Sequence, residues 1–188
     1  MKSGQKILTI RKSNPRRNLP IAISNKRSEN NFVLAFARSF VEVTGSSVLL
    51  AARELHLPGY GIADLVCLLE KSNRSSRSTN SLSTSNVNSF LAFEVKMRDW
   101  RGALSQAFRY KYYANTSIVV LPPKDAQLAH QYIYTFKTLG IGLWAFDKAT
   151  GTITRHFTPG RQKPMSSFVN RKAIHLLSDR YARSRQYA

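Results

Sequence analysis

Two apolar runs carry charge where charge is expensive, and this constrains the fold more than any other feature of the chain. Phe90-Leu-Ala-Phe-Glu-Val-Lys-Met97 reads as a strand with Glu94 and Lys96 inside it. Gly61-Ile-Ala-Asp-Leu-Val-Cys-Leu-Leu69 reads as another, with Asp64 inside it. Side chains alternate faces along a strand, so Glu94 and Lys96 project to the same side, about 6–7 Å apart along the backbone. A charge within an apolar strand costs several kcal/mol unless it is paired or bound to a metal. The chain has 10 Asp+Glu in all and places two of them at these positions. That placement predicts a divalent-metal site with a lysine beside it.

Charge points to the partner. With 29 Lys+Arg against 10 Asp+Glu the net charge is +19, an excess that favours polyanions. Nucleic acid is favoured over a membrane surface, because no basic amphipathic helix stands out. From charge alone, a generally basic ribosome-associated protein is the alternative. At 188 residues with 43% hydrophobic content, one domain with a substantial core is expected. The single cysteine, Cys67, makes neither an intrachain disulfide nor a cysteine-cluster zinc site and is expected in the core. No apolar run approaches the roughly 20 residues that span a bilayer. The N-terminal apolar stretch is too short for a secretory signal. A cytoplasmic, nucleoid-associated location follows, although the acid-free basic N-terminus leaves organellar targeting open.

Helix and strand patterns alternate between two basic ends. Residues 1–27 carry eight Lys/Arg and no acid, with Pro15 and Pro20, and read as a flexible basic arm. Ser28 is placed to cap a helix from Glu29 to Val43, ended by Gly45, with Phe32, Val33, Phe36 and Phe40 as its core stripe. Val48 to Leu57 and Ile62 to Glu70 read as hairpin partners, and Phe90 to Met97 as the third strand. Trp100 to Ala114 reads as a helix burying Trp100, Ala103, Leu104, Ala107 and Phe108. Ser117 to Leu121 is a continuous apolar strand, as in a sheet covered on both faces. A helix over 125–139 and strands 141–146 and 152–157 follow. The segment 71–89, with eight serines and four asparagines, cannot bury enough surface to order itself and reads as a loop insertion. Residues 28–160 form the predicted domain. Residues 161–188 form a basic C-terminal tail, with a helix near 168–184.

Asp64 and Glu94 on neighbouring strands, with the Val95 carbonyl, offer oxygen ligands suited to Mg²⁺. A bound cation of this kind lowers the pKa of water and neutralises charge developing on a phosphate. Lys96 is a compact cation suited to stabilising a hydroxide or the pentacovalent phosphorus. The bland alternative is an ion pair between Glu94 and Lys96 at a sheet edge. Glu29 falls near the centre of its helix's apolar stripe and so is expected to face the sheet and complete a three-carboxylate site. A first-turn acid favoured by the helix dipole is the alternative there. Glu54 on the first strand is the competing third acid. Gln106 and Tyr110 are i, i+4 neighbours on the helix after the third strand. Arg101, Arg109, Tyr110 and Lys111 mix aromatic and basic character as a nucleic-acid surface does. The four histidines lack metal-ligand spacing.

The order helix, three strands, helix, strand, with Gly61-Ile-Ala-Asp64 and Phe93-Glu-Val-Lys96, resembles the PD-(D/E)XK nuclease superfamily. That superfamily includes restriction endonucleases and Holliday-junction resolvases. The resemblance covers about residues 28–122, with extension to 157, and Ala63 stands where the motif's name has proline. It implies an α/β fold with a central mixed β-sheet flanked by helices and an αβββαβ restriction-endonuclease-like core. It implies a Mg²⁺-dependent endonuclease hydrolysing DNA phosphodiester bonds, with Mn²⁺ able to substitute. Asp64 and Glu94 are then metal ligands and Lys96 the catalytic lysine, with Glu29 contributing directly or through water. The Gln-x-x-x-Tyr of Gln106 and Tyr110 resembles a motif of one branch of the superfamily, where it supports the active site or contacts DNA. Such a chain works alone, as a homodimer or within a larger nucleic-acid-processing complex. A non-catalytic DNA-binding module on the same fold is the runner-up.

Overall fold

Aromatic packing decides which face of the sheet the first helix covers. In the computed structural model, which describes residues 23–70 and 87–186, α1 runs Ile23–Thr44 and a 3₁₀ turn Gly45–Ser47 follows it. Phe32, Phe36 and Phe40 recur at four-residue spacing along α1, so they share one face. Their rings meet Phe93, Phe146 and Trp144 of the sheet at centroid distances of 4.8 to 5.9 Å, mostly tilted or edge-on as aromatic quadrupoles prefer.

The sheet has six strands in sequential order: β1 Val48–Leu57, β2 Gly61–Glu70, β3 Val87–Val95, β4 Thr116–Leu121, β5 Gly142–Asp147 and β6 Thr152–Phe157. β1, β2 and β3 pair antiparallel, β3–β4 and β4–β5 parallel, and β5–β6 antiparallel. The protein is therefore α/β, with an open mixed sheet flanked by helices. Each parallel step is bridged by helix, as a crossover requires: α2 Trp100–Tyr110 before β4, then α3 Pro123–His130 and α4 Ile133–Leu139 before β5. The last helix is α5 Ser167–Gln186. α1 alone packs with Leu65, Cys67, Phe93, Val95, Ile118 and Val120 on one face. α2, α3, α4 and α5 cover the other face, over Val66, Phe90, Ala92, Val119 and Leu143. Every residue of β4 is buried, as a strand covered on both sides should be. Cys67 is buried and unpaired.

Several boundaries differ from the sequence reading. α1 begins five residues before Ser28, so Ser28 lies inside the helix and is not its cap. The predicted arm is thus helical from Ile23; residues 1–22 lie outside the described residues, as do 71–86 of the Ser/Asn-rich segment. The helix expected over 125–139 is two helices, because the chain turns at Gln131 and Tyr132, with their N–H groups bonded to Leu128 and Ala129 carbonyls. α2 ends at Tyr110, and 111–113 form a turn. α5 is no separate tail: Val169, Ala173 and Leu177 are buried in the core. Asn115 ties that end of the chain down, accepting from the Phe90 N–H at 2.8 Å and donating to the Gln162 carbonyl at 3.0 Å.

The first two strands change phase at the same level. On β1, Leu50 and Ala52 share a face with Leu55 and Leu57; on β2, Ala63 shares one with Val66 and Leu68. Strict alternation forbids both sets. The backbone breaks the alternation at Glu54, whose φ of 53° is the one positive value at a non-glycine among the described residues. No ladder pair joins Glu54 to Asp64, although Arg53–Leu65 and Leu55–Ala63 pair on either side. Asp64 therefore sits where the sheet switches faces.

Candidate active site

Glu94 continues the row of Phe90 and Ala92 on β3, facing the α2 side of the sheet, and its side chain is 1% exposed. β3 is the third of six strands, so the Glu94–Lys96 pair does not lie at a sheet edge. Lys96 stands one residue past β3, but its N–H still bonds the Val120 carbonyl at 3.0 Å and extends the ladder toward β4. Its Nζ lies 3.2 Å from Glu94 Oε1 and 3.5 Å from Glu29 Oε1.

Asp64 joins from β2. The Val95 N–H donates to Asp64 Oδ2 at 2.8 Å, across the place where the β2–β3 ladder has already ended at Leu65–Phe93. A strand residue's N–H and C=O point to the same side, so the Val95 carbonyl also faces Asp64. Tyr110 closes the group from α2. It is fully buried, and its hydroxyl lies within hydrogen-bond reach of Glu94 Oε2 and, at 2.7 Å, of the Ile62 carbonyl. One hydroxyl has one proton for these two acceptors. A protonated Glu94 that donates to Tyr110 satisfies both contacts; an ionised Glu94 takes the Tyr110 proton for itself.

Electrostatics agree with that arrangement. Burial first, then the Asp64 charge, pushes Glu94 up to about 7, against the opposing pull of Tyr110 and Lys96. Burial pushes Asp64 up to about 6, opposed mainly by the Val95 N–H and Lys96, with Glu29 and then Glu54 adding to the rise. Burial draws Lys96 downward, yet Glu94, Asp64 and Glu29 together hold its ammonium above the usual lysine value. The Tyr110 hydroxyl is pushed well above its ordinary value, by burial and by Glu94. The site thus concentrates carboxylates with one lysine to balance them, and protons make up the deficit.

The expected residues divide accordingly. Asp64, Glu94, Val95, Lys96 and Tyr110 are brought together, and Glu29 meets them through Lys96. Glu29 does not complete a three-carboxylate cluster: among the described residues, no group of three or more His, Cys, Asp or Glu is placed to hold a metal ion. Lys96 stands between Glu29 and Glu94. Two carboxylates and a carbonyl still fit Mg²⁺, which is commonly held by one or two carboxylates with waters and substrate phosphate. Gln106 is half-buried one turn before Tyr110. Tyr110 itself, expected as a nucleic-acid contact, is sealed in the core and braces Glu94 instead. Lys111 is likewise not a free surface cation: its Nζ donates to the Leu139 carbonyl at 2.6 Å at the end of α4. Arg101 and Arg109 are exposed, and Arg101 lies 4.3 Å over the Trp100 ring. Sequence reasoning missed the role of Ile62, whose backbone carbonyl carries the bond and leaves no signature in the side chain.

Comparison with protein-family models, with curated proteins and with solved structures finds no match to this chain.

Proposed function

We propose that this chain is a divalent-metal-dependent endonuclease that hydrolyses DNA phosphodiester bonds on a PD-(D/E)XK-like core. The carrying observation is the placement of Glu94: fully enclosed on an interior strand, beside Asp64, with Lys96 the one base paired to it among the described residues. The element order α1, β1, β2, β3, α2, β4 supports the restriction-endonuclease-like reading. A purely structural ion pair needs one acid per base, and the half-buried Asp64, which repels Glu94, adds nothing to such a pair.

Asp64, Glu94 and the Val95 carbonyl would hold Mg²⁺ or Mn²⁺, which when bound supplies an activated water and neutralises charge on the phosphate. The chain's own residues do the rest. The Val95 N–H fixes the Asp64 carboxylate, and Tyr110 fixes Glu94, so neither must reorganise on binding. Both acids must release their protons first, which makes cation binding strengthen as pH rises through about 6 to 7. Lys96 keeps its charge throughout and places a cation beside the reacting phosphate. Glu29 restrains Lys96 from the α1 side. The positive surface holds the DNA backbone, and we place the protein with DNA on the nucleoid in the cytoplasm, as a homodimer or as the nuclease subunit of a larger complex.

One observation favours the non-catalytic reading: Lys96 already pairs with two of the acids. A plasmid-nicking assay with Mg²⁺ separates the two. Asp64→Ala, Glu94→Ala and Lys96→Ala are expected to abolish nicking while DNA binding persists, since affinity comes from dispersed phosphate contacts. DNA binding by the wild type without nicking would favour the binding module.

A further inference from the structure

We infer that the β1–β2 hairpin and the end of α2 form a stacking platform for an unpaired nucleotide of a DNA strand, next to the carboxylate pair. The inference rests on the nuclease reading and narrows its substrate to DNA with a single-stranded segment, at a fork, flap or free strand.

Three side chains make the platform. Tyr112, in the turn after α2, is 38% exposed. Tyr60 at the hairpin lies against Tyr112, with ring centroids 5.1 Å apart and the planes tilted by 46°. Arg109 is exposed, and its Nη2 lies 3.7 Å from where a Cβ on Gly61 would stand, so the guanidinium reaches the hairpin. Exposed apolar residues scattered singly are ordinary. Here two tyrosines and an arginine come together where the hairpin enters β2, on the face that Gly61 and Ala63 share.

The platform is fixed to the chemistry. Tyr110 contacts the Ile62 carbonyl and Glu94 with one hydroxyl, so the hairpin and the buried acid share a brace. The Tyr60 N–H donates to the Leu57 carbonyl at 2.9 Å and closes the turn beneath the ring. A base offers a flat π-face, and an aromatic with an adjacent arginine is the pairing that binds such faces without regard to sequence. Duplex DNA hides those faces within its own stack. An unpaired base exposes them, while its phosphate meets Arg109 and a chain of net charge +19.

The test is binding in EDTA to a single strand, to a fork and to the blunt duplex of the same sequence, by wild type, Tyr112→Ala and Tyr112→Phe. The platform predicts that Tyr112→Ala weakens single-strand and fork binding about tenfold and duplex binding by less than about twofold. Tyr112→Phe retains the wild-type preference. A 2-aminopurine in the single-stranded segment is quenched by wild type and not by Tyr112→Ala. Equal loss on all three DNAs, or no loss on any, overturns the platform, as does a surface that captures a protein partner and leaves the 2-aminopurine signal unchanged. Nuclease activity that ignores strand structure and survives Tyr112→Ala overturns the platform and leaves the nuclease standing. Selective binding with no cleavage in any divalent metal overturns the nuclease and leaves the platform.

Discussion

Glu94 and Asp64 hold protons at pH values where ordinary carboxylates have lost them. Their ordinary values of 4.5 and 3.8 rise to about 7 and about 6. Between the two sets of values the folded protein binds more protons than the unfolded chain, so the contribution of these groups to stability falls as pH rises. It is fully present below about pH 4 and lost above about pH 7. Glu94→Gln removes the larger share: urea unfolding in EDTA at pH 5 and pH 8 should show the variant's stability dropping less, by on the order of 3 kcal/mol. An unchanged difference between the two pH values would mean that Glu94 is ionised throughout. Divalent cation should reverse the trend in the wild type, raising the melting temperature more at pH 8 than at pH 5. Glu29 touches Lys96 and reaches Asp64 only through its charge. Glu29→Gln should therefore keep the metal-dependent rise in melting temperature and slow cleavage by a few fold. Loss of that rise would restore Glu29 to the metal.

Among the elements, β1 stores the clearest strain. Glu54 sits at φ 53° in mid-strand, a conformation that costs a side chain about 1–2 kcal/mol, opposite Asp64 where both strands switch faces. Glu54→Gly should stabilise the protein by about 1 kcal/mol in chemical denaturation; a loss of stability would show that the Glu54 side chain supports the kink. The strands were legible because their apolar runs end at Gly and Pro, as β1 does at Pro58-Gly59. The kink was not, because no residue type in 53–54 announces it. α1 was legible from its phenylalanine stripe, while its start was not: Ser28 is a good cap by type, but the helix continues through it to Ile23. Asp64, Glu94 and Lys96 were legible because charge in apolar strands is rare. The brace from Tyr110 to Ile62 was not, because it uses a backbone carbonyl. The core these elements build is tightly coupled: Phe93 touches Phe36, Phe40 and Trp144 at 4.8 to 5.6 Å, and Phe93→Ala should cost about 3–5 kcal/mol in denaturant unfolding. A cost under about 1 kcal/mol would contradict that packing.

Over the whole molecule, an excess of 29 basic to 10 acidic residues surrounds a site whose own charges are mostly acidic. In the proposed function the two features would serve different steps: the basic surface would gather phosphate, and the acids would hold a cation that activates the attacking water. Among the described residues no helix is long and apolar enough to cross a membrane. DNA affinity should fall steeply with salt through counterion release. Removing residues 1–22, which carry six Lys/Arg, should make the log–log slope shallower; an equal slope would show that this segment makes no phosphate contact. The central claim is tested most directly by single-turnover cleavage of duplex, branched and single-stranded DNA across a Mg²⁺ titration, with wild type beside Glu94→Gln. The account predicts saturable, EDTA-sensitive cleavage by the wild type and at least about a hundredfold slower cleavage by the variant. Wild-type protein that cleaves none of these DNAs, or a variant that matches it, would contradict the account.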